Sequence, residues 1–382
     1  MNNLRLQILI CKGTGCVSAK SDLIKENFDK ALEDYKIHDV EAIITGCFGF
    51  CGQGPIVKVE PDNVFYTHVS PEDVNEIIAE HIIHGRPVKR LLYRNPKNKE
   101  AIYNQRDMNF YGKQTRLALK NCGKIDPENI YDYISYDGYQ ALFKVLTEMS
   151  PTDVIDIIKK SGLRGRGGGG FPTGIKWENT YKSPGDEKYI FCNADEGDPG
   201  AFMDRSILEG DPNSIVEAMT IGGYATGANH GVIYIRAEYP LAIHRLKTAI
   251  SQARNCGFLG KNIFNSGFDF DIEIRYGAGA FVCGEETALI HSVEGKRGEP
   301  TRKPPFPSIK GYMGKPTTVN NVETYANIAQ IILKGADWFA SRGTESSKGT
   351  KVFALAGKVN NVGLVEVPMG ITMREIVYDI GG

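Results

Sequence analysis

The spacing of apolar positions changes several times along the chain, and each change marks an element. Leu4 to Ile10 is a mostly apolar run ending in Cys11-Lys12-Gly13, which predicts a strand entering a loop. Leu23, Phe28, Ala31 and Leu32 recur at helical spacing within Asp22 to Tyr35. Val40 to Thr45 predicts a second strand, and Val57 to Val59 with Val64 to Tyr66 a hairpin around Asp62-Asn63. Ser70-Pro71-Glu72-Asp73 is a capping box ahead of Val74, Ile77, Ile78 and Ile82 on a helix. Further on, Gln114 to Cys122 and Tyr139 to Met149 predict helices, with another helix start at Asp126-Pro127-Glu128-Asn129. A second capping box, Ser150-Pro151 with Asp153, opens a helix that carries Val154, Ile157 and Ile158 on one face and stops at Gly162. Tyr189 to Cys192 is a short apolar run of the kind that fills a buried parallel sheet, and Val232 to Ile235 and Asp271 to Tyr276 predict a second and a third strand. Between and after them Leu241 to Arg254, Ala288 to Val293 and Glu323 to Leu333 predict helices. This alternation is an α/β pattern.

Between Gly162 and Trp177 the periodicity breaks off into Gly-Leu-Arg-Gly-Arg-Gly-Gly-Gly-Gly-Phe-Pro-Thr-Gly-Ile-Lys-Trp. Gly167 to Gly170 strip every side chain from a length of backbone. Glycine loses the most freedom on folding, so such a run points to a close approach to the main chain or to positive φ. Arg164, Arg166 and Lys176 add positive charge, which suits a phosphate or a flat anionic ring. Gly165, Gly167 and Gly170 satisfy G-x-G-x-x-G, but the dinucleotide fingerprint needs a strand before it and a helix after it. Here a helix precedes, and Pro172 and Gly174 argue against an immediate long helix. The simpler alternative is a flexible surface loop.

Composition narrows the class. At 382 residues, two or three domains are expected. A net charge of −1 leaves no footprint for nucleic acid or an anionic membrane. No apolar run approaches the ~18 residues of a spanning helix, and the N-terminus lacks signal-peptide architecture. A soluble, cytoplasmic protein is predicted. Its eight cysteines are unevenly placed. Cys122, Cys192, Cys256 and Cys283 stand alone and read as buried small hydrophobes. Cys11 and Cys16, then Cys47 and Cys51, form C-x₄-C and C-x₃-C pairs on glycine-rich turns. Four thiolates so arranged can hold a [2Fe–2S] cluster. Structural zinc is the main rival, although its pairs are usually closer, often C-x₂-C; buried or disulfide-linked cysteines are the third reading. His81 and His84 lie one turn apart and read as an exposed helix end rather than a metal pair.

The remaining chemistry lies in loops after the predicted strands, where ligands of open α/β sheets bind. Tyr189 to Cys192 discharges into Asn193-Ala194-Asp195-Glu196-Gly197-Asp198, whose carboxylates suit a base, a ribose clamp or a metal, or form a plain acidic turn. Glu285 and Glu286 stand at a helix start, where the dipole stabilises carboxylates. Pro304-Pro305-Phe306-Pro307 presents one ring, for stacking or for core. Thr317-Thr318-Val319-Asn320-Asn321 precedes a helix and suits a phosphate.

The order of elements and the cysteine spacing over about the first ninety residues resemble the thioredoxin-like [2Fe–2S] ferredoxin domains of NAD-linked flavoproteins. Gly165 to Gly174, Asn193-Ala194-Asp195-Glu196, Gly284-Glu285-Glu286-Thr287 and Val319-Asn320-Asn321-Val322 resemble the FMN- and NADH-binding subunit of respiratory complex I. The acidic loop and the fused N-terminal domain look closer to soluble relatives, the flavin subunits of NAD-linked, often electron-bifurcating [FeFe] hydrogenases and formate dehydrogenases. The resemblance implies that Gly165, Arg166, Gly167, Gly168, Lys176, Asn193, Asp195 and Glu196 line FMN. Gly284, Glu285, Asn320, Asn321 and Thr324 complete that pocket, with Glu196 and Glu285 supporting a reaction whose chemistry belongs to the flavin. NADH would meet Phe171, Phe306, Asp198, Glu286 and Lys303, although many relatives carry Glu where this chain has the shorter Asp198. Cys11, Cys16, Cys47 and Cys51 would ligate the cluster.

The predicted division is a thioredoxin-like [2Fe–2S] domain over 1–92, a linker over 93–120, a Rossmann-like α/β FMN- and NADH-binding domain over 121–345, and the start of a small β-grasp domain over 346–382. Within the last, Thr350 to Ala356 and Gly363 to Val367 predict strands and Met373 to Tyr378 a helix. The family continues into a helical bundle with a C-x₂-C-x₂-C…C [4Fe–4S] site, and no such motif occurs in these residues; a fragment and a natural short form both fit. The predicted function is hydride exchange between NAD(P)H and FMN, with single electrons passed to or from iron–sulfur clusters. The implied partners are a hydrogenase or formate dehydrogenase catalytic subunit and a small thioredoxin-like [2Fe–2S] subunit. The rivals are a complex I subunit proper, and a non-catalytic electron relay or assembly scaffold.

Overall fold

A computed structural model describes residues 4–382. In the N-terminal part, β1 (Leu6–Cys11) runs parallel to β2 (Val40–Thr45) and antiparallel to β3 (Val57–Glu60), which pairs with β4 (Val64–Tyr66). The sheet order is β2-β1-β3-β4. Helix α1 (Ser21–Asp34) buries Ile24, Phe28, Ala31 and Leu32 against it. The predicted order of elements over this region is present. The capping box of Ser70 and Asp73 forms, and the helix after it carries a π-helical turn over Ile77–Ile83. His81 corrects the sequence reading. It is 1% exposed, with Nδ1 2.8 Å from the Tyr66 hydroxyl and Nε2 3.1 Å from Asp62, so it is a partnered core histidine rather than an exposed end.

The larger part is organised by a four-stranded parallel sheet. Its helix α2 (Pro151–Ser161) has both halves of the Ser150–Asp153 capping box, and Gly162 ends it at φ 68°. The face it buries carries Val154, Ile155 and Ile158. Helix α3 (Thr173–Lys182) follows the glycine loop directly, which overturns the expectation drawn from Pro172 and Gly174. Pro172 sits at the N-cap, where a missing N–H costs nothing. Gly174 is there for packing: a Cβ would lie 2.6 Å from the Lys159 backbone nitrogen, so only glycine lets α3 approach α2 so closely.

Strand β5 (Tyr189–Ala194) is followed by α4 (Met203–Gly210) and α5 (Pro212–Thr226), two helices that the sequence pattern does not announce. Nearly all of α5 is buried, so it shows no amphipathic period to detect. Then come β6 (His230–Arg236), α6 (Pro240–Asn255), β7 (Asp271–Gly277) and α7 (Glu286–Val293). Thr317–Asn321, expected only to precede a helix, is strand β8; it pairs with β5 in parallel at the sheet edge, giving the order β8-β5-β6-β7. Short helix α8 (Val322–Ala326) follows it, then a further helix over Ile328–Lys334. The helix expected over Gln114 to Cys122 is absent; that segment is turns held from outside, with the Glu366 carboxylate accepting from the amides of Leu117, Ala118 and Leu119 at 2.8, 3.0 and 3.0 Å.

Near the C-terminus, β9 (Thr350–Leu355) and β10 (Gly363–Pro368) form an antiparallel hairpin. It packs into a core shared with the cysteine loops and with Tyr93, Met108, Phe110 and Tyr111. Phe50 stacks on Phe110 with centroids 4.1 Å apart and planes at 8°. Gly46 meets Gly210 at the end of α4, where a Cβ would stand 2.1 Å from the Gly210 Cα. The cysteine loops are therefore seated against the larger part, not held away from it. Among the described residues no helix is long and apolar enough to cross a membrane.

Candidate functional site

All four strands of the parallel sheet deliver their carboxyl ends to one edge, and a cavity of about 500 Å³ opens there. The glycine loop forms one wall. The cavity brings together Gly165, Gly167, Phe171, Lys176, Asn193 and Gly284 with Glu286, Lys303, Phe306, Asn320 and Asn321. Asn179, Pro307, Ser308, Thr317 and Val319 also line it. Thr317 and Val319 belong to the stretch expected to suit a phosphate and Pro307 to the proline segment around Phe306, whereas Asn179, on the unforeseen α3, and Ser308 carry no sequence signal.

Gly168 and Gly170 have φ of 107° and 62°, and a Cβ on either would meet no atom within 4 Å. The loop is bare toward open space. Gly167 differs, since its Cβ would lie 3.0 Å from that of Asn321. Of the three cations expected around the loop, only Lys176 lines the cavity. Arg166 is 6% exposed and turns away from the cavity, donating to the carbonyls of Thr350 (2.8 Å), Lys348 (2.6 Å) and Arg164 (3.0 Å). Its own amide donates to the Thr324 hydroxyl at 2.9 Å. Arg166 and Thr324 thus brace the loop from behind. Arg164 donates to the Gly170 carbonyl at 3.2 Å.

Lys176 donates to Glu286 and to the Val319 carbonyl, both at 2.9 Å. Lys303 reaches Glu286 at 2.7 Å and Glu285 at 3.0 Å. Burial works against the charge on Glu286, but the two lysines outweigh it and hold its carboxyl below the usual range. Glu285 caps α7, accepting from the amides of Thr287 (2.8 Å) and Ala288 (3.0 Å). Phe171 and Phe306 are 48% and 51% exposed, so a ring face of each is free at the mouth. The Asn320 side-chain oxygen accepts from the Trp177 indole at 2.9 Å, and the Asn321 side chain caps α8 by accepting from the Glu323 amide at 3.0 Å.

Asp195 is the outlier. Both carboxylate oxygens are buried and have no hydrogen-bond partner. Burial raises its pKa to about 6, with Arg236 opposing and Glu238 assisting. Glu196 beside it is satisfied, accepting from the amides of Asp204 (3.1 Å) and Arg205 (3.2 Å) at the start of α4. Asp198 is exposed and is not part of the cavity wall. A side-chain-free wall, an orphaned acceptor and nearby paired lysines fit a flat ring system that carries N–H donors and a phosphate.

The second constellation is the four cysteines. Cys11, Cys16 and Cys47 are buried and Cys51 opens to the surface, all as free thiols. Cys47 and Cys51 Sγ lie 3.7 Å apart, and the Gly49 amide donates to Cys47 Sγ at 3.3 Å. Thiol hydrogen bonds from Cys11 and Cys51 pull Cys47 down against its burial, helped by the Gly49 amide and the charge of Arg116. The neighbouring thiols Cys16 and Cys47, together with burial, push the Cys11 thiol up. Among the described residues no three His, Cys, Asp or Glu side chains close around one ion. The thiols form a chain of neighbours, which suits a two-iron cluster better than a single tetrahedral metal. Of the four isolated cysteines, Cys122, Cys192 and Cys283 are buried and Cys256 is half-buried.

A glycine-walled cavity at the edge of a parallel sheet, in one chain with a four-cysteine site, defines a flavin- and iron–sulfur-binding redox protein. Residues 158–330 match the family described as the Nuo51 FMN-binding domain, and residues 3–81 the thioredoxin-like [2Fe–2S] ferredoxin. The chain belongs to the flavoprotein family that carries these domains, which bind FMN and a [2Fe–2S] cluster. It is 69% identical over 270 residues to the NADP-reducing hydrogenase subunit HndC of Solidesulfovibrio fructosivorans, covering 71% of this chain and 55% of that one. It is 50% identical over 266 residues to an NADH-quinone oxidoreductase subunit of Aquifex aeolicus, covering 70% of this chain and 62% of that one. Its fold is similar to that of an NAD⁺-reducing [NiFe]-hydrogenase in the H₂-reduced state, with TM-score 0.62, 29% identity and coverage of 99% of this chain and 61% of that one. The chain thus spans between half and two thirds of the length of these relatives.

Proposed function

We propose that this chain is the nucleotide-oxidising part of a multi-subunit redox complex, with the 500 Å³ cavity holding FMN and admitting a nicotinamide dinucleotide beside it. The observation that carries the reading is the bare glycine wall of this cavity, with the unpartnered Asp195 carboxylate on the loop that leaves β5. When bound, FMN supplies the two-electron to one-electron conversion, while the protein binds and orients. Gly165, Gly167 and Gly168 let a ring approach the backbone, and Gly284 opens the opposite side. Asp195 accepts from a ring N–H, Lys176 and Asn193 fix its polar edge, and Asn320 and Asn321 lie toward the phosphate. Glu196 and Glu285 hold the loops around it rather than react. Phe171 and Phe306 offer faces for an adenine, and Lys303 with Glu286 forms a polar rim. Cys11, Cys16, Cys47 and Cys51 hold the cluster.

The two curated relatives differ in the nucleotide and acceptor that their names carry, NADP for a hydrogenase and NADH for a quinone oxidoreductase. In this chain two lysines pair with Glu286, and the exposed Asp198, outside the cavity wall, is the carboxylate we assign to a ribose reaching beyond the mouth, which favours NADH over its phosphorylated form. The partners are iron–sulfur subunits of a hydrogenase or formate dehydrogenase complex working in the cytoplasm. Purified protein tests the reading: a yellow flavin spectrum with NADH-dependent dye reduction is expected. A protein that takes up no FMN, or that reduces no dye with either nucleotide, refutes it.

A further inference from the structure

Arg116 stands outside the flavin cavity, and its side chain makes no ion pair among the described residues. Its Nε and Nη2 are fully buried without a hydrogen-bond partner. Leaving buried guanidinium donors unmade is costly, so a structure that keeps them has an acceptor in view. The guanidinium stands over the Tyr111 ring at 5.8 Å, and Nη2 lies 3.7 Å from where a Cβ on Gly49 would be. Gly49 is the residue whose amide donates to Cys47 Sγ. Arg116 therefore rests on the Cys47–Cys51 loop. Its own segment is fixed from behind: the Thr115 amide donates to the Glu366 carbonyl at 2.9 Å, and the Glu366 carboxylate takes the amides of Leu117, Ala118 and Leu119 and the Thr350 hydroxyl (2.6 Å). With those donors Glu366 is already satisfied. Arg205, the other guanidinium on this side, also has a buried Nε without a hydrogen-bond partner, but Glu209 sits 3.7 Å from it and offsets its charge.

We propose that Arg116 sets the reduction potential of the [2Fe–2S] cluster, as a buried positive charge whose free N–H groups turn to the cluster's sulfurs. The inference rests on the assignment of the four cysteines to that cluster. The oxidised cluster with four thiolates is doubly negative and becomes triply negative on taking one electron, with no atom or proton transferred. A cation fixed beside it in a poorly screened setting favours the more negative state and raises the potential. Because Arg116 lies beyond the thioredoxin-like domain, the potential is set in part from outside the domain that binds the cluster. Arg116 is a positioning and tuning residue; it supplies no ligand.

The test is an EPR-monitored redox titration of the full chain, with iron content measured alongside. R116Q should keep about two irons while its reduction equilibrium becomes at least tenfold less favourable, a fall of 59 mV for one electron. R116K, which keeps the charge but not the fork, should lie between R116Q and wild type. An R116Q potential equal to wild type overturns the proposal, and so does an R116K potential as low as that of R116Q, which would make shape and not charge the cause. Should R116Q fail to hold its iron, wild-type protein labelled with ¹⁵N-arginine decides. Pulsed EPR of its reduced cluster should show a guanidinium nitrogen coupling, and no coupling overturns the proposal. A wild-type chain without any [2Fe–2S] signal would instead refute the cysteine assignment, which keeps the two failures apart.

Discussion

Asp195 offers a test of whether the cavity is built for a ligand at the expense of the empty protein. Its carboxylate is buried without a partner, and burial moves its pKa from 3.8 to about 6. A carboxyl whose folded pKa is raised binds its proton more tightly when folded than when unfolded. Between about pH 4 and pH 6 the folded state therefore holds more protons, and stability falls as pH rises through that window, then levels off. At 1.36 kcal/mol per pH unit the full shift corresponds to about 3 kcal/mol at neutral pH. The loop is partly open and Arg236 is near, so solvent screening leaves roughly half of that. Asp195→Asn removes the charge at nearly constant size. Flavin-free D195N should be more stable than flavin-free wild type by about 1–2 kcal/mol at pH 8, a rise of a few degrees in the melting transition of the larger part. The gain should shrink to nothing near pH 4, where wild type is protonated too. The same variant should bind FMN more weakly, because a neutral amide oxygen is a weaker acceptor for the ring N–H than a carboxylate. Calorimetry at pH 4, 6 and 8, paired with flavin titration, checks both. An equal gain at pH 4 and pH 8, or a stabilised variant with unchanged FMN affinity, refutes the reasoning.

Other expectations follow from the same geometry. Gly168→Val should lose most FMN: at φ 107° a β-branched residue is strained by about 1–3 kcal/mol, and its side chain would occupy the open space above the loop; flavin content per folded chain checks this, and full occupancy contradicts it. Cys47→Ala should abolish the [2Fe–2S] EPR signal while leaving flavin content near normal, and retention of about two irons would reject the ligand set. Asp198→Asn should raise NADPH use much more than it lowers NADH use, since a carboxylate facing a 2′-phosphate costs several kcal/mol; equal kcat/KM for the two nucleotides in wild type, or an unchanged ratio in the variant, removes Asp198 as the selectivity element.

Much of this protein was legible from local pattern. The strands of the N-terminal sheet, both capping boxes, the Gly162 stop and the strands β5, β6 and β7 follow from short-range apolar spacing and from residues whose backbone preferences are strong. The four cysteines were legible too, because glycine turns beside thiols need no tertiary context to be noticed. What the sequence left open is what depends on partners distant in the chain. Thr317–Asn321 is polar and reads as a loop until β5 supplies the ladder. Helix α5 has no polar face because it is enclosed on all sides. Gly174 looks like a breaker until the backbone of Lys159 is found 2.6 Å from its missing Cβ. Arg166 looked like a ligand cation and is instead spent on backbone carbonyls behind the loop. The buried, unpartnered state of Asp195 and of Arg116 has no trace in composition or period, because an unpartnered group is defined by everything that surrounds it, and only the packed chain decides that.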